Sequence, residues 1–310
     1  MINIVFGLDD KFAAMCGACC ASILANHKRK VKSELLKIVV DADDKIHFYF
    51  IGNLSKKNKK RLLDLKNIQD CECSFPDIDL SQFDAFPVNN FFKSRAAYYR
   101  LLAVDFVDGD RAVYLDCDMI VNCDIQLLWD MDLEDNFIAA VKDIGERIIS
   151  PYFNSGLIVF DLKSLREWDF FNKVCNYVRD NKEQIENFIY PDQDLLNKIF
   201  NGNFKQLDER YNFMFAGHLE NTSLKEDAIV HYAGIKPLSW QCPTLYRNLF
   251  FQYSQMTHWN LNMNKFYFEL FKLSPLFFLK PKWIKRLKKM RAETKEYLKK
   301  QAQGNKNADL

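Results

Sequence analysis

The sequence predicts an α/β fold built on a mostly parallel sheet, and three observations support this class. Short apolar runs that fit buried strands alternate with longer segments in which apolar residues recur at helical spacing. Such alternation is typical of sheets whose parallel strands are connected by helices. The 310 residues are 48% hydrophobic and include 27 phenylalanines, which is enough apolar material for one large core.

Strand and helix candidates follow one another along most of the chain. The predicted strands are residues 2–8, 46–51, 112–115, 137–141 and 157–160, and a last one leads into His231. The predicted helices are residues 12–25, a helix capped by Ser55 that ends near residue 65, and residues 93–104, 170–178 and 195–200. Residues 33–44 are ambiguous, and residues 71–92, which contain two prolines and several aspartates, are predicted to form a loop.

Charge and composition exclude several classes of protein. The 43 Lys and Arg residues nearly balance the 41 Asp and Glu residues, so the chain is neither an acidic disordered segment nor a basic nucleic-acid coat. No stretch offers the roughly 18 uncharged residues of a membrane span. The apolar run 2–8 is short and stops at Asp9 and Asp10, so we expect a cytoplasmic protein whose nine cysteines are reduced.

Five of the cysteines allow an alternative interpretation as a zinc site; they are Cys16, Cys19, Cys20, Cys71 and Cys73. The first three lie in an apolar helical stretch, where a free cysteine is commonly a small buried hydrophobic residue. We therefore expect thiols in the core rather than a zinc site.

A pair of carboxylates stands where common cofactor fingerprints are missing. The sequence has no GxGxxG after its first strand, no Walker A motif, no HExxH and no GxSxG. Asp116 and Asp118 follow the predicted strand 112–115, and two carboxylates at this spacing can converge on Mg²⁺ or Mn²⁺. Open α/β sheets bind ligands beyond the carboxyl ends of their strands. The alternative is a pair of solvated turn residues.

A second set of polar residues follows the strand that ends at His231. Mn²⁺ accepts an imidazole ligand, although a structural histidine is the alternative. Gly234 lets the backbone approach a ligand closely, and Lys236 offers a positive charge suited to phosphate. Together these residues could hold a diphosphate and its metal ion.

Two further polar clusters lie on apolar scaffolding. Asn154, Ser155 and Gly156 precede the predicted strand 157–160, and residues 192–194 (Asp-Gln-Asp) precede the predicted helix 195–200. An N-cap with acidic first-turn residues explains the second cluster by itself. Carboxylates and amides in fixed positions also suit a ligand rich in hydroxyl groups.

These motifs, in this order, resemble glycosyltransferase family 8, a family of retaining enzymes with the GT-A fold. The likeness is greatest to bacterial lipopolysaccharide or lipooligosaccharide α-galactosyltransferases and α-glucosyltransferases. It spans residues 4–240 and rests on residues 4–10, 97–101, 113–118, 152–156, 192–197 and 231–234. The resemblance implies a Rossmann-like nucleotide-diphospho-sugar transferase fold with a mostly parallel sheet flanked by helices.

The resemblance also implies a role for individual residues. Mn²⁺, with Mg²⁺ as the alternative, would be held by Asp116, Asp118 and His231. The UDP-sugar donor would be bound by Asp9, Asp10, Phe12, Asp116, Cys117, Asn154, Ser155, Gly156, Gly234 and Lys236. The catalytic set would be Arg100, Asp192, Gln193 and Asp194, with Gln193 facing the anomeric carbon and Asp194 as the reserve nucleophile.

Two positions depart from the family pattern. Lys11 stands where some relatives have Asn, and Gly234 and Lys236 are one residue closer than in the common Gly-x-x-Lys spacing. The second departure predicts a reshaped phosphate loop. Neither removes a candidate metal ligand.

The C-terminal region differs in composition from the rest. We predict a catalytic domain over residues 1–255 and an aromatic and basic region over residues 256–310. Ten Lys or Arg residues lie between positions 280 and 300, and Trp283, Ile284 and Leu287 share a helical face. This pattern suits a helix lying on anionic lipid at the inner face of the cytoplasmic membrane, with a solvated basic helix as the alternative. No nucleic-acid partner is expected.

The predicted activity is therefore transfer of a hexose, with galactose favoured over glucose, from a UDP-sugar to a lipid-linked oligosaccharide core. Two alternatives use the same residues. One is a sugar-nucleotide-binding scaffold with weak or no turnover, and the other is a metal-dependent nucleotidyltransferase.

Overall fold

The computed structural model describes residues 1–27, 31–33, 38–40, 45–89, 94–143, 151–215, 227–239, 241–262 and 264, with backbone alone for 31–33 and 38–40. The predicted basic tail at 280–310 and much of the ambiguous segment 33–44 lie outside the described residues. Every candidate site residue lies within them.

The described chain forms strands and helices in alternation. The strands are β1 (Ile2–Gly7), β2 (Val31–Ser33), β3 (Ile38–Val40), β4 (Ile46–Ile51), β5 (Cys71–Ser74), β6 (Arg111–Leu115), β7 (Met119–Val121), β8 (Ile138–Lys142), β9 (Phe153–Asp161), β10 (Lys205–Leu207), β11 (Phe213–Met214) and β12 (Ile229–His231). The α-helices are α1 (Ala13–Asn26), α2 (Lys56–Leu63), α3 (Ala103–Phe106), α4 (Gln126–Trp129), α5 (Leu162–Glu167), α6 (Phe170–Asp180), α7 (Lys182–Ile185), α8 (Pro191–Phe200) and α9 (Thr244–Ser254). Short 3-10 helices cover Asp64–Asn67, Leu80–Phe83, Arg95–Leu102 and Glu209–Asn212.

A seven-stranded sheet in the order β10-β8-β9-β6-β1-β4-β5 forms the centre of the molecule. Its strands are parallel except β9, which pairs antiparallel with both β6 and β8. A smaller sheet, β11-β12-β7, carries the strand that ends at His231. The α/β class with a mostly parallel sheet is confirmed.

The central sheet is buried on both faces, which explains why its strands read as continuous apolar runs. Alternate residues of β6 point to opposite sides: Val113 and Leu115 pack with α1 and α9, whereas Ala112 and Tyr114 pack with the 3-10 helix Arg95–Leu102 and with α6 and α8. The two helical layers fix the sheet and hence the positions of its strand ends.

Several of the predicted elements have other bounds or another type in the structure. β9 begins at Phe153 rather than at residue 157, because its first residues pair with β8 and lie beside Asp116. The predicted loop 71–92 contains the edge strand β5, whose backbone pairs with β4. The predicted helix 93–104 is a 3-10 helix followed by the single turn of α3.

The cysteines of the proposed zinc alternative are free thiols. Cys16, Cys19 and Cys20 are fully buried on α1, and among the described residues no cluster of cysteines could hold a metal ion. Burial raises the pKa of the Cys20 thiol to about 12, so it is protonated at neutral pH. These thiols are part of the core, as expected.

No helix in the described part of the chain has the length and apolar character needed to cross a membrane. Trp259 and Leu261, beyond α9, still pack against the core formed by α1 and α9. The domain boundary at residue 255 therefore stays a prediction.

Candidate active site at the carboxyl ends of the strands

Four chain segments meet at the carboxyl end of β6. β6 ends beside Asp116, β12 ends at His231, and α8 begins with Pro191. Because β9 runs antiparallel to β6, its first residues lie at this same end, and the Asp116 amide donates to the Gly156 carbonyl over 2.7 Å. This convergence brings together side chains that are far apart in sequence.

The candidate metal ligands form a compact cluster. One ligand atom from each of Asp116, Asp118 and His231 lies within 4.8 Å of the others. His231 Nε2 is 3.7 Å from Asp116 Oδ2 and 3.6 Å from Asp118 Oδ1. Two carboxylate oxygens and one imidazole nitrogen are a donor set that Mn²⁺ accepts.

Asp118 stays ionised although it is buried. Burial by itself would raise the pKa of this carboxyl group, but the neighbouring His231 and Lys236 outweigh it and hold the pKa well below its usual range. A buried carboxylate that is charged at neutral pH is ready to bind a cation.

Gly156 provides space next to this cluster. A Cβ atom at this position would lie 2.5 Å from His231 Cε1 and 3.0 Å from Asp116 Oδ2. A glycine at position 156 therefore lets the His231 ring lie beside Asp116, and the two carboxylates and the imidazole brought together in this way fit a divalent cation.

Lys236 forms an ion pair at the edge of the site. Its ammonium group pairs with Asp118 Oδ2, and its side chain is 45% exposed. Gly234 has φ of +73°, a left-handed conformation that favours glycine. The ammonium group of Lys236 therefore neutralises the charge of a candidate metal ligand.

Arg100 links the metal cluster to the residues of α8. Its Nη2 lies 3.1 Å from Asp116 Oδ1 and 3.1 Å from Asp192 Oδ2, and its Nη1 donates to the Ser155 carbonyl. The guanidinium lies 4.3 Å from the centre of the Tyr114 ring, and only 2% of the residue is exposed. The Tyr114 hydroxyl also donates to Asp116 Oδ1, which leaves Oδ2 facing His231.

Gln193 is held by hydrogen bonds at both ends of its amide. Its Oε1 accepts from the Ser155 amide at 3.0 Å and from Asn154 Nδ2 at 3.1 Å. Its Nε2 donates to Asp143 Oδ2 at 3.0 Å and to the Tyr152 hydroxyl at 3.2 Å. The predicted cluster 192–194 lies inside the first turn of α8 rather than before it.

Asp194 has a structural role at the start of α8. Its Oδ1 accepts from the Tyr152 hydroxyl at 2.5 Å, and its Oδ2 accepts from the Tyr190 amide at 2.9 Å. Asp192 differs, because it accepts from the Ser155 hydroxyl and pairs with Arg100. Asp192 therefore belongs to the buried ionic group, and Asp194 caps the helix.

The predicted nucleotide residues fall into two groups. Asp9 Oδ1 accepts from the Lys11 amide at 2.9 Å in the turn that leads to the half-buried Phe12. Asp10 Oδ1 instead accepts from the Ser55 amide and from Asn58, and so anchors the start of α2.

Cys117 lies between the two aspartates but faces the core. Its thiol contacts the Gly7 carbonyl at 3.8 Å, and a hydrogen bond with Cys16, together with burial, raises its pKa. The structure therefore does not bring Cys117 or the Asp10 carboxylate to the Asp116/Asp118/His231 cluster.

Sequence reasoning missed three polar residues of the site, which are Asp143, Tyr152 and Asn212. Asp143 follows the predicted strand 137–141, so the rule that singled out Asp116 could have found it. Tyr152 was included only within a family motif, and its contacts with Gln193 and Asp194 became apparent from the fold. Asn212 follows no apolar strand and carries no such signal.

Comparisons with known proteins agree with this geometry. General stress protein A of Bacillus subtilis is 29% identical over 287 residues, covering 84% of this chain and 95% of that protein. The lipopolysaccharide 1,3-galactosyltransferase of Salmonella typhimurium is 26% identical over 255 residues, covering 75% of this chain and 71% of that protein. The crystal structure of the galactosyltransferase LgtC with donor and acceptor sugar analogues superimposes with a TM-score of 0.68 at 26% identity, covering 85% of this chain and 98% of LgtC.

The likeness to LgtC confirms the GT-A fold that the sequence motifs predict. The sequence profile of the family described as "Glycosyl transferase family 8" matches residues 3–241, well over half of the chain. The match includes the metal cluster, Arg100 and the amides of β9 and α8. The chain is therefore a glycosyltransferase that belongs to glycosyltransferase family 8.

Proposed function

We propose that the protein transfers a hexose from a UDP-hexose to a hydroxyl group of a lipopolysaccharide or lipooligosaccharide core, with retention of the anomeric configuration. The observation that carries this proposal is the direct contact between the metal cluster and the sugar-site residues through Arg100. Galactose is the first candidate sugar, supported by the names of the Salmonella relative and of LgtC, and glucose is the second.

Asp116, Asp118 and His231 would hold Mn²⁺, with Mg²⁺ as the alternative. A bound divalent cation supplies Lewis-acid neutralisation of the charge that develops on a leaving diphosphate. Lys236 supports the same step, because its exposed side chain can exchange Asp118 for a diphosphate oxygen.

Arg100, Asp192 and Asn154 would orient the donor sugar. Arg100 and Asn154 are buried and Asp192 is partly buried; Arg100 pairs with Asp192, and Asn154 donates to Gln193, so these side chains need little reorganisation when a donor binds. Preorganised polar groups in a site of low water content stabilise developing charge more strongly than solvent does. Positioning and electrostatics therefore carry most of the rate enhancement in this proposal.

The hydrogen bonds of Gln193 and Asp194 favour attack by the acceptor on the face that the diphosphate leaves. A double displacement needs a good nucleophile, which retaining glycosidases provide as a carboxylate. The Gln193 amide oxygen is occupied by the Ser155 amide, and both oxygens of Asp194 accept hydrogen bonds. In this proposal the leaving phosphate takes the proton of the acceptor hydroxyl.

The basic tail would hold the enzyme at an anionic membrane surface, where a lipid-linked acceptor is presented. The sequence supports this through its ten Lys or Arg residues between positions 280 and 300 and through Trp283 and Ile284. This places the enzyme on the cytoplasmic face of the membrane as a peripheral protein.

Asp118→Ala tests the metal assignment. Loss of a residue that hydrogen-bonds to a metal ligand already lowers metal affinity or activity by about 10- to 100-fold. Loss of the ligand itself should therefore lower turnover by about a hundredfold or more. UDP release from UDP-galactose or UDP-glucose with Mn²⁺ measures turnover, and electron paramagnetic resonance measures Mn²⁺ binding. Asp180→Ala, an exposed carboxylate on α6, should match the wild type.

Near-normal kinetics in Asp118→Ala would refute the metal assignment. The wild-type assay separates the alternatives. Transfer or slow hydrolysis of the UDP-sugar supports the glycosyltransferase. Binding of the UDP-sugar without turnover supports the scaffold. A protein that neither binds nor turns over a UDP-sugar would contradict the proposal as a whole.

Gln193→Ala tests the role of the amide. A positioning residue should leave activity reduced by about 10- to 100-fold but measurable, whereas loss of an obligatory nucleophile should remove nearly all of it. Single-turnover kinetics measure the chemical step. Mass spectrometry that finds a hexose covalently attached to Gln193 or Asp194 of the native enzyme would overturn same-face attack.

Removal of residues 280–310 tests the membrane assignment. Each basic residue near an anionic surface contributes about 1 kcal/mol, and this contribution is screened by salt. The truncated protein should no longer sediment with phosphatidylglycerol vesicles but should keep hydrolysing UDP-sugars. Phosphatidylcholine vesicles serve as the control, and unchanged sedimentation after truncation would show that the tail is not the anchor.

A further inference from the structure

Asn212 lies between a candidate metal ligand and a candidate sugar-binding residue. Its Oδ1 is 2.8 Å from His231 Nδ1, and its Nδ2 is 2.8 Å from Asn154 Oδ1. The residue is 2% exposed and ends the 3-10 helix Glu209–Asn212, directly before β11. Pairing of β11 with β12 places Asn212 beside His231.

Backbone amides fix the orientation of each side-chain amide in this region. The Gly156 amide donates to Asn154 Oδ1 over 3.0 Å, so the atom of Asn154 that faces Asn212 is an oxygen. Asn212 must present its NH₂ group to that oxygen, which leaves its own oxygen facing His231 Nδ1. Because an amide oxygen only accepts, His231 carries its proton on Nδ1.

The other neutral tautomer of His231, with its proton on Nε2, would be attracted by nearby negative charge. His231 Nε2 faces Asp116 Oδ2 at 3.7 Å and Asp118 Oδ1 at 3.6 Å, and these two carboxylates favour a proton on Nε2. A protonated Nε2 has no lone pair for a metal ion. Something in the structure must therefore hold the proton on the other nitrogen.

We propose that Asn212 is a positioning residue that keeps the proton of His231 on Nδ1 and couples this metal ligand to the sugar-binding amides. This inference rests on the proposed metal and donor site. Asn212 performs both tasks at once, because a carboxamide has one accepting and one donating end. Neither a carboxylate nor an apolar side chain of similar size can do both.

The hydrogen bonds continue in one direction beyond Asn212. Asn154 Nδ2 donates to Gln193 Oε1 at 3.1 Å, and Gln193 Nε2 donates to Asp143 Oδ2 at 3.0 Å. The chain from His231 thus donates at every step and ends on a carboxylate. Hydrogen bonds aligned in this way polarise one another, and all of these side chains are buried.

Two substitutions test the accepting end and the donating end of the Asn212 amide separately. Asn212→Leu removes both hydrogen bonds, and we expect Mn²⁺ affinity to fall about 10- to 100-fold, the usual cost of losing an outer partner of a metal ligand. Asn212→Asp keeps an acceptor for His231 Nδ1, so Mn²⁺ affinity should stay within about threefold of the wild type.

The Asn212→Asp variant loses the donor to Asn154 at the sugar end. Asn154 Oδ1 would keep the hydrogen bond from the Gly156 amide but would face a carboxylate oxygen in place of a donor. Loss of this buried hydrogen bond should shrink the preference for UDP-galactose over UDP by about tenfold. Calorimetric titration with UDP and UDP-galactose at saturating Mn²⁺ measures this ratio. Electron paramagnetic resonance measures the affinity for Mn²⁺ alone.

The tautomer can be observed directly in the metal-free protein. The ¹⁵N shifts of the imidazole ring should show Nδ1–H for His231 in the wild type and in Asn212→Asp, and Nε2–H in Asn212→Leu. Asn248→Leu is the matched control, since Asn248 is 5% exposed on α9 and its Nδ2 has no hydrogen-bond partner among the described residues.

The outcomes distinguish this inference from the proposed function. A neutral His231 that carries its proton on Nε2 in the wild type, or Mn²⁺ affinity within about twofold of the wild type in folded Asn212→Leu, would overturn the role of Asn212 alone. Unchanged Mn²⁺ affinity in Asp118→Ala would instead overturn the metal site on which the inference rests.

Discussion

The buried guanidinium of Arg100 is the interaction on which the rest of the site depends. It pairs with Asp116 of the candidate metal cluster and with Asp192 of α8, and it donates to the carbonyl of Ser155 on β9. Burying an ion costs several kcal/mol, and this cost is offset only when the partners are charged and well placed. Here two carboxylates, a carbonyl group and the face of Tyr114 supply that compensation. Without Arg100, these two partly buried carboxylates would remain close together with no guanidinium between them.

The fold brings Arg100 next to these partners. Arg100 lies in the 3-10 helix Arg95–Leu102, which packs on the same face of the sheet as Tyr114 of β6 and as α8. Asp116 directly follows the carboxyl end of β6, and Ser155 lies near the start of the antiparallel β9. The fold thus brings together the two halves of the candidate site, the Asp116/Asp118/His231 cluster and the polar residues of β9 and α8, and Arg100 joins them. The hydrogen bonds from His231 through Asn212 to Gln193 form a second connection between the halves.

Sequence patterns predicted the parts of the site that follow strands. Asp116, Asp118 and His231 each come at the end of an apolar run, and the structure has them at strand ends as the local pattern predicts. Asp192 and Gln193 were predicted before a helix and lie inside its first turn. Asn212 has no such pattern, because its position results from the pairing of β11 with β12. Asp10 and Cys117 lie next to site residues in sequence, but helix capping and core packing take their side chains elsewhere. Sequence adjacency does not decide where a side chain points.

The kinetics of Arg100→Lys test most directly the claim that one guanidinium unites the two halves. Lysine keeps the charge but cannot donate to Asp116, Asp192 and Ser155 in the fixed geometry of a guanidinium. Misplacement by about 1 Å costs about a hundredfold in rate, so kcat/KM for UDP release should fall by at least about that factor. Arg166→Lys is the control, since Arg166 donates to backbone carbonyls such as Val107 and Gly109, before β6, at the opposite end of that strand. A near-normal kcat/KM in folded Arg100→Lys would contradict the account.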